Sequence, residues 1–201
     1  MKILFIIIGT LVGLFIIFQI YITMSTNKTE MQQYKVIQEE KDFEIRFYPA
    51  VVMAKISSTS KSYKDLGSSG FRKLAGYIFG GNSENKQISM TSPVHMDIGD
   101  SVSTMAFVMP SNFKKDDLPK PSSDDVVLED TQEEYVAAIQ FSGFSDVESI
   151  EEHKVKLEKA LKAKGLTYNG NFRYLGYNPP YQLVGRRNEI IVALDASNFK
   201  K

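Results

Sequence analysis

The stretch "GFRKLAGYIFGGNSENKQISMTSPVHMDI" (residues 70–98) changes its pattern of apolar residues twice. Residues 70–79, together with residues 62–69 before the quoted stretch, have apolar side chains at helical spacing, which predicts a helix over residues 62–79. The following "GGNSENKQ" (80–87) is rich in glycine and polar residues and ends the helix. From Ile88 onward, apolar residues alternate with others, which predicts a half-buried strand over residues 88–98.

The predicted strand contains His95, one of two histidines in the chain. Successive side chains of a strand point to opposite faces, so His95 lies on the other side from Met90, Val94 and Met96. These side chains therefore cannot all approach one metal ion, and we interpret His95 as a structural or solvent-facing residue. The alternative is that His95 alone is an axial ligand to iron; no other metal ligand is predicted.

The order strand, helix, two strands occurs twice along the chain. The predicted segments are 43–57, 62–79, 88–98 and 103–109 in the first half, and 126–142, 146–164, 170–177 and 188–194 in the second. A capping box of Ser145 and Glu148 begins the second helix, and Gly165 ends it. A doubled unit of this kind predicts an α+β fold in which two helices pack on two sheets or on one curled sheet.

The composition excludes several classes of function. The 201 residues include 24 Lys and Arg, 24 Asp and Glu, and no cysteine. This balance of charge provides no basic stripe for phosphate, so no nucleic-acid partner is predicted. The absence of cysteine excludes disulfides and thiolate catalysis. Because no G-x-S-x-G, H-E-x-x-H, P-loop or G-x-G-x-x-G motif is present, we predict a binding protein rather than an enzyme.

The amino-terminal residues differ from the rest of the chain. The run from Ile3 to Met24 has no charged residue. As a helix it would be about 33 Å long, enough to cross a hydrocarbon core of about 30 Å. We therefore predict a transmembrane anchor over residues 1–24, with residues 3–24 in the membrane. A cleaved signal peptide is the alternative, but its apolar region is usually shorter and ends at a small-residue cleavage site.

The charge at the start of this run predicts its orientation. Lys2 and the amino terminus precede the apolar residues, which predicts a single-pass membrane protein with a cytoplasmic amino terminus and an extracytoplasmic domain. The remaining chain divides into a polar tether (25–33), a globular domain (34–195) and a short tail (196–201).

Four motifs of the globular part resemble one protein family. The segment "GFRKLAGYIFGGN" followed by "ISMTSPV" is similar to the helix-loop-strand signature of the SOUL haem-binding proteins. Three other segments resemble the opening strand, the proline-containing loop and the last strand pair of that family: "FEIRFYP" (43–49), "LPKPSSDDVVLED" (118–130) and "GYNPPYQLVGRRNEIIVAL" (176–194). The resemblance covers Tyr34 to Leu194. It implies a distorted antiparallel β-barrel with two α-helices and an internal pseudo-repeat, here preceded by one transmembrane helix.

The resemblance also implies non-covalent binding of haem or another tetrapyrrole in a shallow apolar groove beside the first helix of the domain. A porphyrin needs an apolar slot for its rings and cations for its two propionates. The residues that would provide them are Phe71, Arg72, Leu74, Ala75, Tyr77 and Ile78 on the helix, and Arg186 and Arg187 on the last hairpin. Gly67, Gly70 and Gly76 would leave room for a flat ligand.

Alternatives stay open for these residues and for the function. The apolar helix residues are also compatible with a core, and Arg186 and Arg187 with pairing to Glu189 or capping of the turn. The favoured function is a membrane-anchored module with haem as a non-covalent cofactor and no obligatory metal. The alternative is a membrane-tethered interaction domain whose groove takes a protein segment or an amphiphile.

Overall fold

The computed structural model describes residues 1–195, so the predicted tail at 196–201 lies outside the described residues. This part contains three α-helices, and their bounds are α1 Lys2–Asn27, α2 Tyr63–Ile78 and α3 Val147–Ala163. A short 3₁₀ turn covers Lys115–Asp117. α2 and α3 confirm the two predicted helices of the domain, and each differs from its predicted range by one residue at either end.

The first turn of α3 differs from the prediction. The Asp146 carboxylate accepts a hydrogen bond from the Ser149 amide at 2.8 Å, and the Asp146 amide donates to the Ser149 hydroxyl at 3.0 Å. The capping box predicted for Ser145 and Glu148 is therefore wrong by one position. The Ser145 hydroxyl instead lies 2.7 Å from the Tyr174 hydroxyl, and the adjacent carboxylate serves as the cap.

The described residues form eleven strands, nine of which belong to one antiparallel sheet. Their bounds in chain order are β1 Glu30–Met31, β2 Lys35–Glu39, β3 Glu44–Tyr48, β4 Val52–Ser58, β5 Thr91–Ser92, β6 Val94–Asp97, β7 Ser103–Val108, β8 Val127–Asp130, β9 Glu134–Phe141, β10 Tyr168–Gly176 and β11 Asn188–Leu194. β1 and β5 pair separately. The predicted strand at 88–98 contains only the short β5 and β6, on either side of the cis Ser92–Pro93 bond.

The sheet is open, so the predicted barrel is wrong. The strand order is β2-β3-β9-β11-β10-β6-β7-β4-β8, and the edge strands β2 and β8 do not pair with each other. A small barrel fills its interior with side chains from its own strands. Here α2 and α3 cover the apolar face instead, so the sheet buries its core without closing. The α+β class is confirmed.

The sheet contains the predicted doubled unit. β6 and β10 pair in the middle, and the order continues as β6-β7-β4 on one side and β10-β11-β9 on the other. α2 follows β4 along the chain, as α3 follows β9. The strand that precedes each unit along the chain pairs with a strand of the opposite unit: β3 pairs with β9, and β8 pairs with β4. The two halves therefore interlock at both ends of the sheet.

Both domain helices pack on one face of the sheet and share one apolar core. They bury there Leu66, Leu74, Tyr77 and Ile78 of α2, and Ile150, Leu157 and Leu161 of α3. Gly70 sets the distance between α2 and the sheet, because an added Cβ would lie 3.0 Å from Ile56 Cδ1 and 3.1 Å from Met105 Sδ. A larger residue at position 70 would force α2 or these side chains to move.

A charged cluster is buried elsewhere in the sheet. The Glu189 side chain on β11 is 0% exposed and accepts two hydrogen bonds from Arg46 on β3, at 2.8 and 3.1 Å. Arg187 donates to the same carboxylate at 2.6 Å, and the Tyr177 hydroxyl donates at 2.9 Å. These four side chains, the Glu189 cluster, join β3 to β11 across the intervening β9.

We expect Glu189→Gln to lower the free energy of unfolding by about 3 kcal/mol, because it removes the carboxylate that pairs with the buried Arg46 and the partly buried Arg187 and leaves Arg46 only the half-exposed Glu44. Urea unfolding followed by circular dichroism measures this change. The matched control is Glu129→Gln, which removes the partly exposed partner of Lys55 and should cost at most about 1 kcal/mol. Equal losses for the two variants would contradict a special role of the Glu189 cluster.

Candidate ligand-binding site

The predicted site residues of α2 are divided between a buried and an exposed side of the helix. Leu74, Tyr77 and Ile78 are buried against the sheet, and the Tyr77 hydroxyl donates to the Pro119 carbonyl at 3.0 Å. The side chains beside Gly70 also come from the sheet. Of the three glycines expected to leave room for a flat ligand, Gly67 and Gly70 therefore lie on the side that positions α2 on the sheet, and only Gly76 faces open space.

The other side of α2 is open to solvent. Phe71 is 43% exposed and Phe79, which caps the helix, is 66% exposed; with Ala75 they follow a four-residue spacing and share one face. At Gly76 an added Cβ would meet no atom within 4 Å. We call Phe71, Arg72, Ala75, Gly76 and Phe79 the outer flank. The sequence analysis missed Phe79, although its spacing from Phe71 and Ala75 could have identified it.

The outer flank holds one fixed ring and one available cation. The Phe71 ring meets the buried Phe107 ring edge-on, with 5.3 Å between centroids, so the sheet orients it. Lys73 pairs with Asp125 at 2.9 Å, whereas the exposed Arg72 side chain has no hydrogen bond or salt bridge within residues 1–195. A guanidinium can donate two parallel hydrogen bonds to a carboxylate. Arg72 is therefore the group of this surface best suited to an acidic ligand.

The two arginines of the last hairpin are engaged in the protein itself. Arg186 Nη1 donates to the carbonyls of Pro179 and Gln182, each at 2.8 Å. Arg187 belongs to the Glu189 cluster, and its guanidinium also donates to the Tyr34 hydroxyl at 2.9 Å. Of the alternatives in the sequence analysis, pairing with Glu189 describes Arg187 and capping of the turn describes Arg186. These contacts use donors that a propionate would need.

His95 lies on the sheet face opposite to α2. Its neighbour Met96 belongs to the core under α2, which confirms that the two side chains point apart. Of the two interpretations of His95, structural or solvent-facing, the structure agrees with the structural one, because Gln32 covers the ring and its amide oxygen accepts from His95 Nε2 at 2.7 Å. Burial, assisted by the positive charge of Arg173, lowers the pKa of His95 to about 3. The imidazole is therefore neutral and structural.

Two cavities lie away from α2. The larger, about 730 Å³, is lined by Met31, Val51 and Phe113 together with Lys114 and other residues, and its size lies within the usual range for small-molecule sites. The smaller, about 430 Å³, borders His95. No α2 residue lines either cavity. Residues 1–195 contain no group of three or more His, Cys, Asp or Glu side chains that could hold a metal ion.

Comparison with known proteins gives a consistent match to one family. A family model described as SOUL heme-binding protein matches residues 29–193. Heme-binding protein 2 of Mus musculus is 33% identical over 156 residues, which cover 74% of this chain and 76% of that protein. Heme-binding protein 1 of Xenopus laevis is 27% identical over 165 residues, 77% of this chain and 86% of that protein. The family match begins after α1 and includes the outer flank.

Solved structures share the fold at low sequence identity. The crystal structure of the EcmrR C-terminal domain has a TM-score of 0.58 at 8% identity and covers 81% of this chain and 98% of that chain. An uncharacterized conserved protein from Listeria innocua has a TM-score of 0.54 at 11% identity, over 78% of this chain and 92% of that chain. This likeness concerns the fold alone.

The buried His95 predicts a specific sensitivity to acid. The unfolded chain takes up a proton near the ordinary pKa of 6.5 whereas the folded protein does so only near 3, so His95 favours unfolding as the pH falls below 6.5. Between pH 7 and pH 5 the wild type should lose about 2 kcal/mol of unfolding free energy through this residue. His95→Gln keeps an N–H donor and should lack that loss. Parallel pH profiles for the two proteins in urea unfolding would contradict the assignment.

Proposed function

Because this chain belongs to the SOUL heme-binding protein family, we propose that it binds haem or another tetrapyrrole non-covalently on the outer flank of α2. Two of its relatives carry the names Heme-binding protein 2 and Heme-binding protein 1. The observation that carries the proposal is the exposed apolar surface of Phe71 and Phe79 beside Arg72, whose side chain has no partner among residues 1–195. This surface lies in the segment whose motif resembles the family signature.

The outer flank has the chemistry that a tetrapyrrole requires. Phe71 and Phe79 offer aromatic surface to the ring system, and Gly76 lets a flat molecule approach the helix backbone because no side chain stands there. Arg72 offers a guanidinium to a propionate. Leu74, Tyr77 and Ile78 support the site indirectly, because their burial fixes the position of α2 on the sheet. When bound, haem supplies an iron porphyrin with a strong absorption band.

The flank supplies contact and charge but no iron ligand. Its five residues include no histidine, methionine or carboxylate, and His95 is neutral, buried and bonded through Nε2 on the opposite face of the sheet. The affinity for haem therefore comes from shape, apolar contact and the ion pair between Arg72 and a propionate. The absence of an acid–base pair on the flank favours a binding role over a catalytic one.

The proposal includes a membrane anchor formed by α1. This helix is long and apolar enough to cross a membrane, and its large apolar side chains from Ile3 to Met24 are exposed except Ile22, which is buried. A contiguous apolar surface of this kind is rare on a soluble protein, which supports insertion. Lys2 precedes the span, so the amino terminus is cytoplasmic and the domain from residue 34 is extracytoplasmic. The segment between them carries β1 and Gln32, which join it to the domain.

A second candidate function is the binding of an acidic amphiphile in the larger cavity. The observation that favours it is the combination of Met31, Val51 and Phe113 with Lys114 and Lys115 around about 730 Å³. An apolar chain would contact the first three side chains and an acidic head group the two lysines. This cavity is separate from α2, so hemin bound to the outer flank would not displace an amphiphile bound in the cavity.

Hemin titration of the full chain in lipid nanodiscs, with empty nanodiscs as the blank, tests the first candidate. The wild type should give a saturable, one-to-one Soret shift. Arg72→Ala should weaken the Kd about threefold to tenfold, because one charge-assisted hydrogen bond contributes about 1 kcal/mol, and Phe71→Ala should weaken it as well. Lys64→Ala is the matched control, since Lys64 is another exposed cation of α2.

The controls separate the flank from the other sites. Lys64→Ala and His95→Gln should leave both the Kd and the Soret maximum unchanged. A shifted Soret maximum in His95→Gln would mean that His95 is a ligand to the haem iron, which would contradict its structural role. A linear response that does not saturate would contradict tetrapyrrole binding altogether.

A further inference from the structure

We propose that the loop between β10 and β11 lies in the interfacial region of the same bilayer that α1 spans, so that the domain contacts lipid directly. The inference rests on the proposed role of α1 as a membrane anchor. The exposed apolar surface formed by Tyr181, Leu183 and Val184 would contact the boundary between the lipid head groups and the acyl chains. We call these three residues the loop tip.

The loop tip is attached to the side of α1. The Gln19 amide donates from Nε2 to the Tyr181 carbonyl at 3.1 Å, and its Oε1 accepts from the Leu183 amide at 3.0 Å. The Phe18 and Tyr181 ring centroids are 6.5 Å apart. In the last turn of α1, the Thr26 hydroxyl donates to Gln182 Oε1 at 2.8 Å. The loop therefore reaches along α1 well before the helix ends at Asn27.

The position of Gln19 along α1 fixes the depth of the loop tip. A span needs about 20 apolar residues, and the charge-free run extends only from Ile3 to Met24. Every stretch of about that length within the run includes Phe18 and Gln19. Wherever the span begins, it ends three to five residues after Gln19, so the backbone atoms that bind Gln19 lie about 5–8 Å inside the end of the span. Tyr181 and Leu183 are consequently at the level that interfacial apolar side chains occupy.

The side chains of the loop tip suit that level. Val184 is 67% exposed, and Tyr181 and Leu183 are also exposed. Tyrosine is enriched at membrane interfaces, where its ring contacts apolar groups and its hydroxyl reaches water. The exposed Phe144 ring lies beside the same loop, 4.5 Å from the Arg186 guanidinium carbon. Together these residues extend the apolar surface of α1 sideways onto the domain.

Several polar backbone groups of the loop are satisfied by other protein atoms. Its carbonyls at Pro179 and Gln182 accept from Arg186, the Tyr181 carbonyl accepts from Gln19, and the Val184 carbonyl accepts from the Gln182 side chain. Non-helical backbone at membrane depth is tolerated only where its hydrogen bonds are made by protein or water. This is an observation independent of the apolar side chains. It also gives Arg186 a role, because its guanidinium holds the loop in a conformation that can leave water.

A single tryptophan reports on the depth of the loop tip, since the chain has no tryptophan of its own. We suggest three variants of the full chain in phosphatidylcholine vesicles with bromine near the top of the acyl chains: Val184→Trp in the loop tip, Phe15→Trp in α1, and Val127→Trp on the exposed edge strand β8. The emission of Val184→Trp should fall about twofold or more relative to non-brominated vesicles, because its ring reaches the acyl boundary. The emission of Val127→Trp should not change.

The outcomes distinguish the inference from the anchor on which it rests. Quenching of Phe15→Trp without quenching of Val184→Trp would overturn the loop contact and leave the anchor in place. Absence of quenching in both would overturn the anchor. Blue-shifted but unquenched emission from Val184→Trp would mean that a protein surface, such as a second copy of the chain, covers the loop tip, and would also overturn the lipid contact.

Discussion

The buried carboxylate of Glu189 is the interaction on which the arrangement of this protein most depends. It is fully buried, and its two oxygens accept hydrogen bonds from Arg46, Arg187 and Tyr177. Arg46 also lies over the Tyr34 ring, 4.2 Å from its centroid. The cluster therefore joins the centre of the sheet, the last hairpin and the segment that follows α1.

The one-sided packing of the sheet separates structural from binding roles. Because α2 and α3 cover one face, α2 has a buried side that fixes its position and an outer flank that remains available to a ligand. The opposite face holds His95 under Gln32 and borders the smaller cavity. A tetrapyrrole on the outer flank and a bilayer at the loop tip would thus use different surfaces. The proposed ligand and the proposed membrane contact do not compete.

Sequence patterns identified what depends on local spacing and missed what depends on tertiary partners. Helical and alternating periodicity located α2, α3 and most strands, and the alternation placed His95 and Met96 on opposite faces. Periodicity says nothing of which edges pair, so it left open whether two sheets or one curled sheet forms, and the closed barrel implied by the family resemblance is not formed. Nor does it show which side of α2 is covered, and the buried positions of Leu74, Tyr77 and Ile78 followed from the sheet. Arg186 and Arg187 were recognised as cations with local pairing as an alternative, but their distant partners, the Gly143 carbonyl and the Tyr34 hydroxyl, are brought to them only by the fold.

The position of bound hemin is the most direct test of the account. Ferric iron broadens nearby backbone amide signals, so a two-dimensional NMR spectrum of the labelled full chain in nanodiscs, with and without one equivalent of hemin, locates the ligand. The account predicts selective loss of the signals of residues 71–79, with those around Met31 and Phe113 unchanged. Selective broadening around Met31 and Phe113, or the same weak broadening throughout the domain, would contradict a tetrapyrrole site on the outer flank of α2.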